Sequence, residues 1–564
     1  MTMTGSRILV ECLVEQGIAT VFGYPGGAVL NVYDELGRNK DRIRHILTTH
    51  EQGATHAADG FARSTGKPGV VIATSGPGAT NLVTGIATAF MDSSPIVAIT
   101  GNVPVSLLGK DSFQEVDITG ITMPITKHNF LVKDVTVLAE TLRQAFAIAV
   151  SGRPGPVLVD IAKDVTAANG EWEPDTPEAA ARRLRTIAPR RPDRPSDAEL
   201  ERAAALLAGS RRPLLYVGGG VIQAGASDTM RTLAERLQIP VALSLMGHGA
   251  LPSRHPLCTG MVGMHGTRAS NMAVNRCDLL VAAGVRFSDR VVSNPAGFAK
   301  SASILHLDID PAEINKNVQT SLSLVGDVRG TLEALLERLP PRAASEWNRD
   351  IESWKRERPA SHEGLPSKIH PRLIMEEVHA RAGDGAFITT EVGQHQMWTA
   401  QFYPFTRPRS FVSSGGLGTM GFGTGAAMGV QVANPEAQVV HIAGDGSFRM
   451  NCGELATIAH YGFPIIILVM NNGALGMVRQ WQTMFYGKRL SQTTLDRPPD
   501  FVKLADAYGV DAWRATDVGS LRAALDAAFS RRAPALIDVS IDIDEMVLPM
   551  VPAGKAIHDQ ILQA

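Results

Sequence analysis

Short apolar runs recur along the chain and alternate with stretches whose apolar positions repeat at helical spacing. The runs are GVVIAT (69–74), PIVAIT (95–100), PVLVDI (156–161), PLLYVG (213–218), DLLVAAG (278–284), SILHLDI (303–309), AFITTEV (386–392), VVHIAG (439–444), PIIILVM (464–470) and ALIDVSI (535–541). Such alternation predicts an α/β protein of parallel sheets covered by helices. Two stretches break the pattern. Residues 166–196 are rich in Pro, Arg and Ala, and residues 338–370 are charged and punctuated by Pro. Both read as linkers. They separate blocks at 1–165, 197–337 and 371–550, each long enough for one doubly wound domain, with a tail at 551–564. The first and third blocks each carry a Gly-rich turn that opens a helix, SGPGATNL at 75–82 and AGDGSF at 443–448. No repeat is strong enough to read as a duplication.

Composition narrows the partners. The 564 residues are 44% hydrophobic and 20% charged, enough for several cores. A net charge of −2 gives no electrostatic case for nucleic acid or an anionic membrane. The N-terminus leads into an amphipathic helix pattern without a signal-peptide core, and no apolar run approaches the ~18–20 residues of a membrane span. Cys12, Cys258, Cys277 and Cys452 are scattered, with no CxxC pair. These features predict a soluble protein of a reducing cytoplasm.

The candidate chemistry is densest at 439–476. An apolar run delivers Asp445 into the turn Gly444-Asp445-Gly446, a helix-like stretch follows, and a second apolar run delivers Asn472. An acid and a carboxamide at two strand ends, beside a turn that opens a helix, suit a hard cation shared with phosphate oxygens. The same pattern also fits a plain βαβ unit with an acidic turn. In the first block, Glu51 follows a strand-like run and starts a helix pattern, where a carboxylate ordinarily compensates the helix dipole.

The spacing of GDG and Asn472 resembles the thiamine-diphosphate motif. HEQGA (50–54), ATSGPGATNLVTGIA (73–87), FQEVDITG (113–120), TKHNFLV (126–132), SGRPGPVLVDI (151–161), YVGGG (216–220), GMHGT (263–267), VGQHQMWTAQ (392–401), GGLGTMGFG (415–423) and GMVRQWQ (476–482) together resemble the large catalytic subunit of acetohydroxyacid (acetolactate) synthase. The set spans almost the whole chain in the family's order. The resemblance implies three doubly wound parallel-sheet domains of the thiamine-diphosphate enzyme type: a pyrimidine-binding domain (1–165), a central FAD-binding-type domain (197–337) and a diphosphate- and Mg²⁺-binding domain (371–550). It implies a carboligase that decarboxylates pyruvate and condenses the remainder with pyruvate or 2-ketobutyrate, giving 2-acetolactate or 2-aceto-2-hydroxybutyrate at the start of branched-chain amino-acid biosynthesis. It also implies a homodimer or homotetramer with active sites at the subunit interface, and a small regulatory subunit.

The resemblance also assigns residues. Glu51 would activate the cofactor through a hydrogen bond to its pyrimidine ring, and Gly76, Gly78 and Asn81 would form the turn against that ring. Asp445, Asn472 and a backbone carbonyl near Ala474 would hold Mg²⁺. Gly393, Gln394, His395, Gly444, Gly446 and Ser447 would surround the diphosphate, with Gly418, Met420 and Met477 beside the cofactor and Met420 as an apolar wedge. FAD would be met by Arg153, His265, Gly266, Thr267, Arg286, Asp308, Asp310 and Asp327. Because no G-x-G-x-x-G fingerprint is present, FAD rests on the resemblance alone, and a plain nicotinamide dehydrogenase is disfavoured. Trp481 would shape the acceptor pocket, where one methylene is worth ~1–3 kcal/mol. Arg290 would pair with the acceptor carboxylate, and Phe113, Gln114, Lys163 and Met264 would line the channel. Each of these types alone equally suits a core or surface role.

The chain departs from the family pattern at Thr424-Gly425 (usually Leu-Pro), Ala162 (usually Pro), Ser288 (usually acidic), Cys452-Gly453 and the tail after Pro552. Gly425 is expected to loosen the helix start it occupies. Acceptor preference, inhibitor response and regulatory coupling are where these changes bear. The rival readings are another thiamine enzyme (a catabolic acetolactate synthase, a pyruvate oxidase or a specialised-pathway carboligase) and a catalytically silent relative.

Overall fold

The apolar runs become central strands of three six-stranded parallel sheets in the computed structural model, which describes residues 1–187, 194–357 and 369–563. From edge to edge the first sheet runs Arg44–Leu47, Thr20–Gly23, Gly69–Ala73, Ile96–Asn102, Val157–Ala162, His128–Val132. The second runs Cys258–Met261, Val241–Leu243, Pro213–Val217, Leu279–Ala283, Ser303–Asp308, Leu322–Val325. The third runs Phe411–Val412, Phe387–Thr390, Val439–Gly444, Ile465–Asn471, Ala535–Ser540, Asp511–Ala515. The central strands are buried along their whole length, so they read as continuous apolar runs. The edge strands missing from the sequence reading are shorter or half exposed, such as Arg44–Leu47 and Asp511–Ala515.

In each sheet the chain leaves two adjacent strands in opposite directions. Loops diverge there and leave a crevice at the strands' carboxyl ends. The flanking loops are 24–29 and 74–78 in the first domain, 218–220 and 284–286 in the second, and 391–395 and 444–447 in the third. Every Gly-rich turn named above falls at one of these points.

The first and third domains share one apolar core. Its seam is the crossing of helix Glu51–Thr65 with helix Phe422–Ala433. Small residues let the backbones meet. A Cβ on Gly429 would lie 1.8 Å from the Ala57 carbonyl oxygen, and one on Gly60 would lie 2.2 Å from that of Ala426. The middle domain keeps a separate core.

Two expectations need correction. Residues 166–196 are not a plain linker: strand Asn169–Glu171 pairs antiparallel with Thr2–Thr4, and helix Pro177–Ile187 follows. Within 338–370, helix Glu346–Arg356 buries Trp347 and Ile351 against the middle domain, with the Trp347 indole N–H donating to the Pro213 carbonyl at 2.9 Å. Single apolar anchors spaced among charges carried too weak a periodicity to read. The remaining linker positions 188–193 and 358–368, and Ala564 of the tail, lie outside the described residues.

Candidate active site

Glu51 is set by its neighbours in sequence. His50 has extended backbone and caps the helix, its Nδ1 accepting from the Gln52 N–H at 3.0 Å. Glu51 is then the first helical residue and is buried. The Asn81 amide donates to Glu51 Oε2 at 2.9 Å. The 75–81 turn closes around this carboxyl. Gly76 sits at φ 60°, and a Cβ on Gly78 would meet Thr74 Cγ2 at 2.7 Å and Glu51 Oε1 at 3.2 Å. Gln114 presents its backbone to Gly76, whose Cβ would meet the Gln114 carbonyl at 2.8 Å. Phe113 is 89% exposed, and Lys163 opens the short helix Lys163–Ala167, half-buried.

One contributor was missed in the sequence. Glu454, of the third domain, is buried and accepts from the Thr49 and His50 N–H groups, both at 3.1 Å. It fixes the two residues that precede Glu51. Only its nine-residue distance from Asp445 could have flagged it, and nothing in that spacing points back to residues 49–50.

The third domain gathers the other group. Asp445 begins a helical turn after strand Val439–Gly444, and its Oδ2 is buried without a hydrogen-bond partner. Burial pushes this carboxyl up to about 6, against the pull of nearby backbone N–H groups. Asn472 Oδ1 accepts from the Ala474 N–H at 3.2 Å, and its Nδ2 donates to Gln394 Oε1 at 3.1 Å. The His395 ring lies over Gly444, where a Cβ would meet Nδ1 at 2.6 Å. Its Nε2 is buried and unpartnered, and burial lowers the imidazole to about 4, so it is neutral. Gly476 is equally confined, 1.9 Å from Gln394 Oε1 for a built Cβ, and the Ala474 carbonyl faces Gly446. The Ser447 hydroxyl is already bonded to the Gly444 carbonyl at 3.3 Å.

These residues fit the implied group. A buried acid and a neutral imidazole each leave an atom unpaired, a cost offset only if something enters the site. Among the described residues no three His, Cys, Asp or Glu side chains form a metal cage. One acid, one amide and one carbonyl instead suit a cation that completes its shell from phosphate and water.

A cavity of about 1750 Å³ lies where the three domains meet. Arg153, His265, Arg286, Asp308 and Asp327 line it, with the glycine loop 218–220 of the middle domain. That loop approaches Gly284 backbone to backbone, 2.1 Å from a Cβ built on Gly218 to the Gly284 oxygen. The glycines and the volume fit a dinucleotide-sized ligand. Gly393, Gly418, Met477, Met264, Arg290 and Trp481 line the same cavity. The Arg290 side chain is 65% exposed, its nearest carboxylate oxygen 3.9 Å away on Asp289, and Trp481 leans on Phe485. Gly266, Thr267, Asp310, Glu51, Gln114 and Lys163 are not among the lining residues. The Thr267 hydroxyl instead donates to the Thr259 carbonyl at 2.7 Å and caps helix Arg268–Arg276. Asp310 caps its own turn and pairs with Arg153 at 3.2 Å.

The loop to Met420 is held at several points. Buried Arg63 pairs with Asp59 and Asp92, and the Asp92 carboxylate accepts from the Gly415 and Gly416 N–H groups at 3.0 and 2.7 Å. Met420 itself is half-buried. The start of helix Phe422–Ala433, where loosening was expected, has close contacts on two sides. Glu391 fixes the helix start, and Gly425 sits in the seam, a built Cβ falling 2.7 Å from the Gly53 oxygen. The tail docks on the middle domain. The Val551 N–H donates to the Met264 carbonyl at 2.8 Å, Gln560 donates to the Gly266 carbonyl at 2.9 Å, and Ile557 is fully buried. Gly453 has room for a side chain, the nearest atom to a built Cβ lying at 3.6 Å.

Residues 3–121, 200–335 and 391–539 match, in order, the thiamine pyrophosphate enzyme N-terminal TPP binding domain, central domain and C-terminal TPP binding domain. The chain is 48% identical to a probable acetolactate synthase large subunit of Methanocaldococcus jannaschii, over 98% of this chain and 94% of the relative. It is 46% identical to the acetolactate synthase isozyme 2 large subunit of Escherichia coli, over 98% of each. It is also 46% identical to an acetolactate synthase of Arthrospira platensis, over 99% of this chain and 97% of the relative.

Proposed function

The chain belongs to the acetolactate synthase large-subunit family of thiamine pyrophosphate enzymes, and we propose that it joins pyruvate to a second 2-ketoacid with Glu51 and Asp445 in the leading roles. The observation that carries the assignment of roles is the pair of sites at the first and third crevices. Glu51 is held by Asn81, while Asp445 Oδ2 and His395 Nε2 stand buried and unpartnered.

Thiamine diphosphate, when bound, supplies the nucleophilic carbon and the electron sink for decarboxylating one ketoacid and passing its two-carbon remainder to another. Glu51 would hydrogen-bond the pyrimidine of that cofactor, and Asn81 orients the carboxyl through Oε2. Asp445, Asn472 and the Ala474 carbonyl would hold Mg²⁺, and neutral His395 would donate or accept at Nε2 beside the diphosphate. Met420 and the Gly415–Gly418 turn would lie beside the cofactor, with Met420 as an apolar wedge. Arg290 would bind the acceptor carboxylate, and Trp481 would favour 2-ketobutyrate over pyruvate by apolar contact.

FAD is proposed for the cavity lined by Arg153, Arg286 and Asp308, where it would be structural. A homodimer or larger assembly is proposed because the large cavity omits Glu51 while Phe113, Met123 and Met450 leave large apolar side chains 89%, 69% and 57% exposed. A small regulatory subunit is proposed because relatives of this chain are themselves large subunits. A cytoplasmic location is proposed, supported by four unpaired cysteines. Among the described residues no helix is long and apolar enough to cross a membrane.

The test is acetolactate formation from pyruvate by purified protein with thiamine diphosphate and Mg²⁺, with and without FAD. FAD-dependent product is expected. Product without FAD would remove the flavin from the reading, and pyruvate consumed without acetolactate would overturn the carboligase.

A further inference from the structure

Glu391 follows strand Phe387–Thr390, and its side chain is fully buried. Its carboxylate accepts from the Gly421 N–H at 2.6 Å, from the Thr424 N–H at 3.1 Å and from the Thr424 hydroxyl at 3.3 Å. His441 Nε2 lies 3.6 Å from Glu391 Oε1 and 3.4 Å from Thr424 Oγ1. The other ring nitrogen, Nδ1, is 3.0 Å from Thr389 Oγ1. Gly423 makes room for this ring, since a Cβ there would fall 2.3 Å from His441 Cε1. One buried carboxylate thus has polar neighbours from a strand and a helix start, with Thr389 behind the imidazole.

Its place in the chain gives this cluster its consequence. Glu391 lies two residues before Gly393, where the diphosphate loop begins, and Gly421 directly follows Met420. The two N–H groups it binds belong to the first turn of helix Phe422–Ala433 and the residue before it, which the helix itself cannot satisfy. A negative charge at that end is favoured by the helix dipole. Gly421 is also held from the far side, its carbonyl accepting from Asn451 Nδ2 at 2.5 Å. Met420 is therefore tethered directly to the strand end that carries the 393–395 loop. Thr424 is a position where this chain departs from the family pattern, and a Leu there would offer the carboxylate no hydroxyl.

We propose that Glu391, Thr424 and His441 form a positioning clasp that fixes the height of Met420 relative to the Gly393–His395 loop. These are positioning residues, since none lines the large cavity, and the proposal rests on the thiamine-enzyme reading. The hydroxyl of Thr424 is the part of the clasp that can be removed with least disturbance of volume.

The test compares Thr424→Val with Thr424→Ser in the full chain. In ligand-free protein, amide hydrogen exchange over residues 415–426 should quicken about tenfold in Thr424→Val, with 445–451 unchanged, and Thr424→Ser should match the parent. With thiamine diphosphate and Mg²⁺ added, exchange of the cofactor's C2 proton should slow several-fold in Thr424→Val while KM for pyruvate stays put. Equal amide exchange in Thr424→Val and parent would overturn the clasp. Altered amide exchange with unaltered C2 exchange would overturn its link to Met420. If the parent itself failed to bind thiamine diphosphate, the enzyme reading would fall, yet amide exchange would still decide the clasp. Glu391→Gln should be more severe, and if it fails to fold Thr424→Val remains decisive.

Discussion

The first and third domains are built on the same plan and finished differently. Numbered along the chain within each domain, both sheets run 2-1-3-4-6-5, whereas the middle sheet runs 3-2-1-4-5-6. Both place functional candidates where strand 1 meets strand 3. In the first domain the key carboxyl is partnered by protein, with Asn81 on Glu51 and Glu454 on the turn before it. In the third, Asp445 Oδ2 and His395 Nε2 have no partner. Strand order decides where a site forms. The side chains decide whether the site is complete without a ligand, and only the third domain's is incomplete.

The comparison is broken hardest by Glu51→Gln. Loss of a general acid should lower kcat about 10²–10⁴-fold, while thiamine diphosphate retention and melting temperature stay close to the parent's. A large fall in melting temperature would mean that Glu51 is structural. Next, Gly429→Ala forces a methyl into the seam the two domains share, 1.8 Å from the Ala57 oxygen. It should cost about 1–3 kcal/mol by denaturant unfolding and lower activity with it.

A pair of variants separates a satisfied site from an unsatisfied one. Asn81→Ala strips Glu51 of its donor and should cost ligand-free protein about 1 kcal/mol. Asp445→Asn removes a buried charge and should stabilise ligand-free protein by about 1 kcal/mol at neutral pH while abolishing cofactor retention. Equal signs in calorimetry would erase the distinction. A test by pH uses a carboxyl in the first domain, Asp160, which accepts from Thr100 and Asn102 at 2.7 and 2.6 Å and which burial pushes up to about 6. Its folded value is raised. Its contribution is therefore present in full below about 4 and lost as pH rises through about 6. Relative to Asp160→Asn, the parent should lose stability between pH 4 and 7, on the order of 2 kcal/mol.

The α/β class and most central strands were legible because parallel strands buried on both faces leave unbroken apolar runs; the inner strands Thr20–Gly23 and Val241–Leu243 escaped because they are only 4 and 3 residues long. Edge strands such as His128–Val132 were not legible, since exposed positions interrupt them. Asp445, Asn472 and Glu51 were legible through spacing and neighbouring glycines. Glu391, Glu454 and Asp92 were not. Each acts on backbone N–H groups of a segment far along the chain, from 30 residues for Glu391 on Gly421 to 405 for Glu454 on Thr49, and such contacts leave no periodic trace. The docking of the tail escaped for the same reason.

The glycine seam has a consequence for anyone mapping this chain by genetic selection. Positions 60 and 429 meet only another helix's backbone, yet most replacements there should abolish growth as surely as replacement of Asp445. A tolerance map scored by survival would rank a spacer and a proposed metal ligand alike. Measuring protein abundance beside survival should pull them apart, because a seam mutant is expected to disappear from the cell while an Asp445 mutant should accumulate and stay silent.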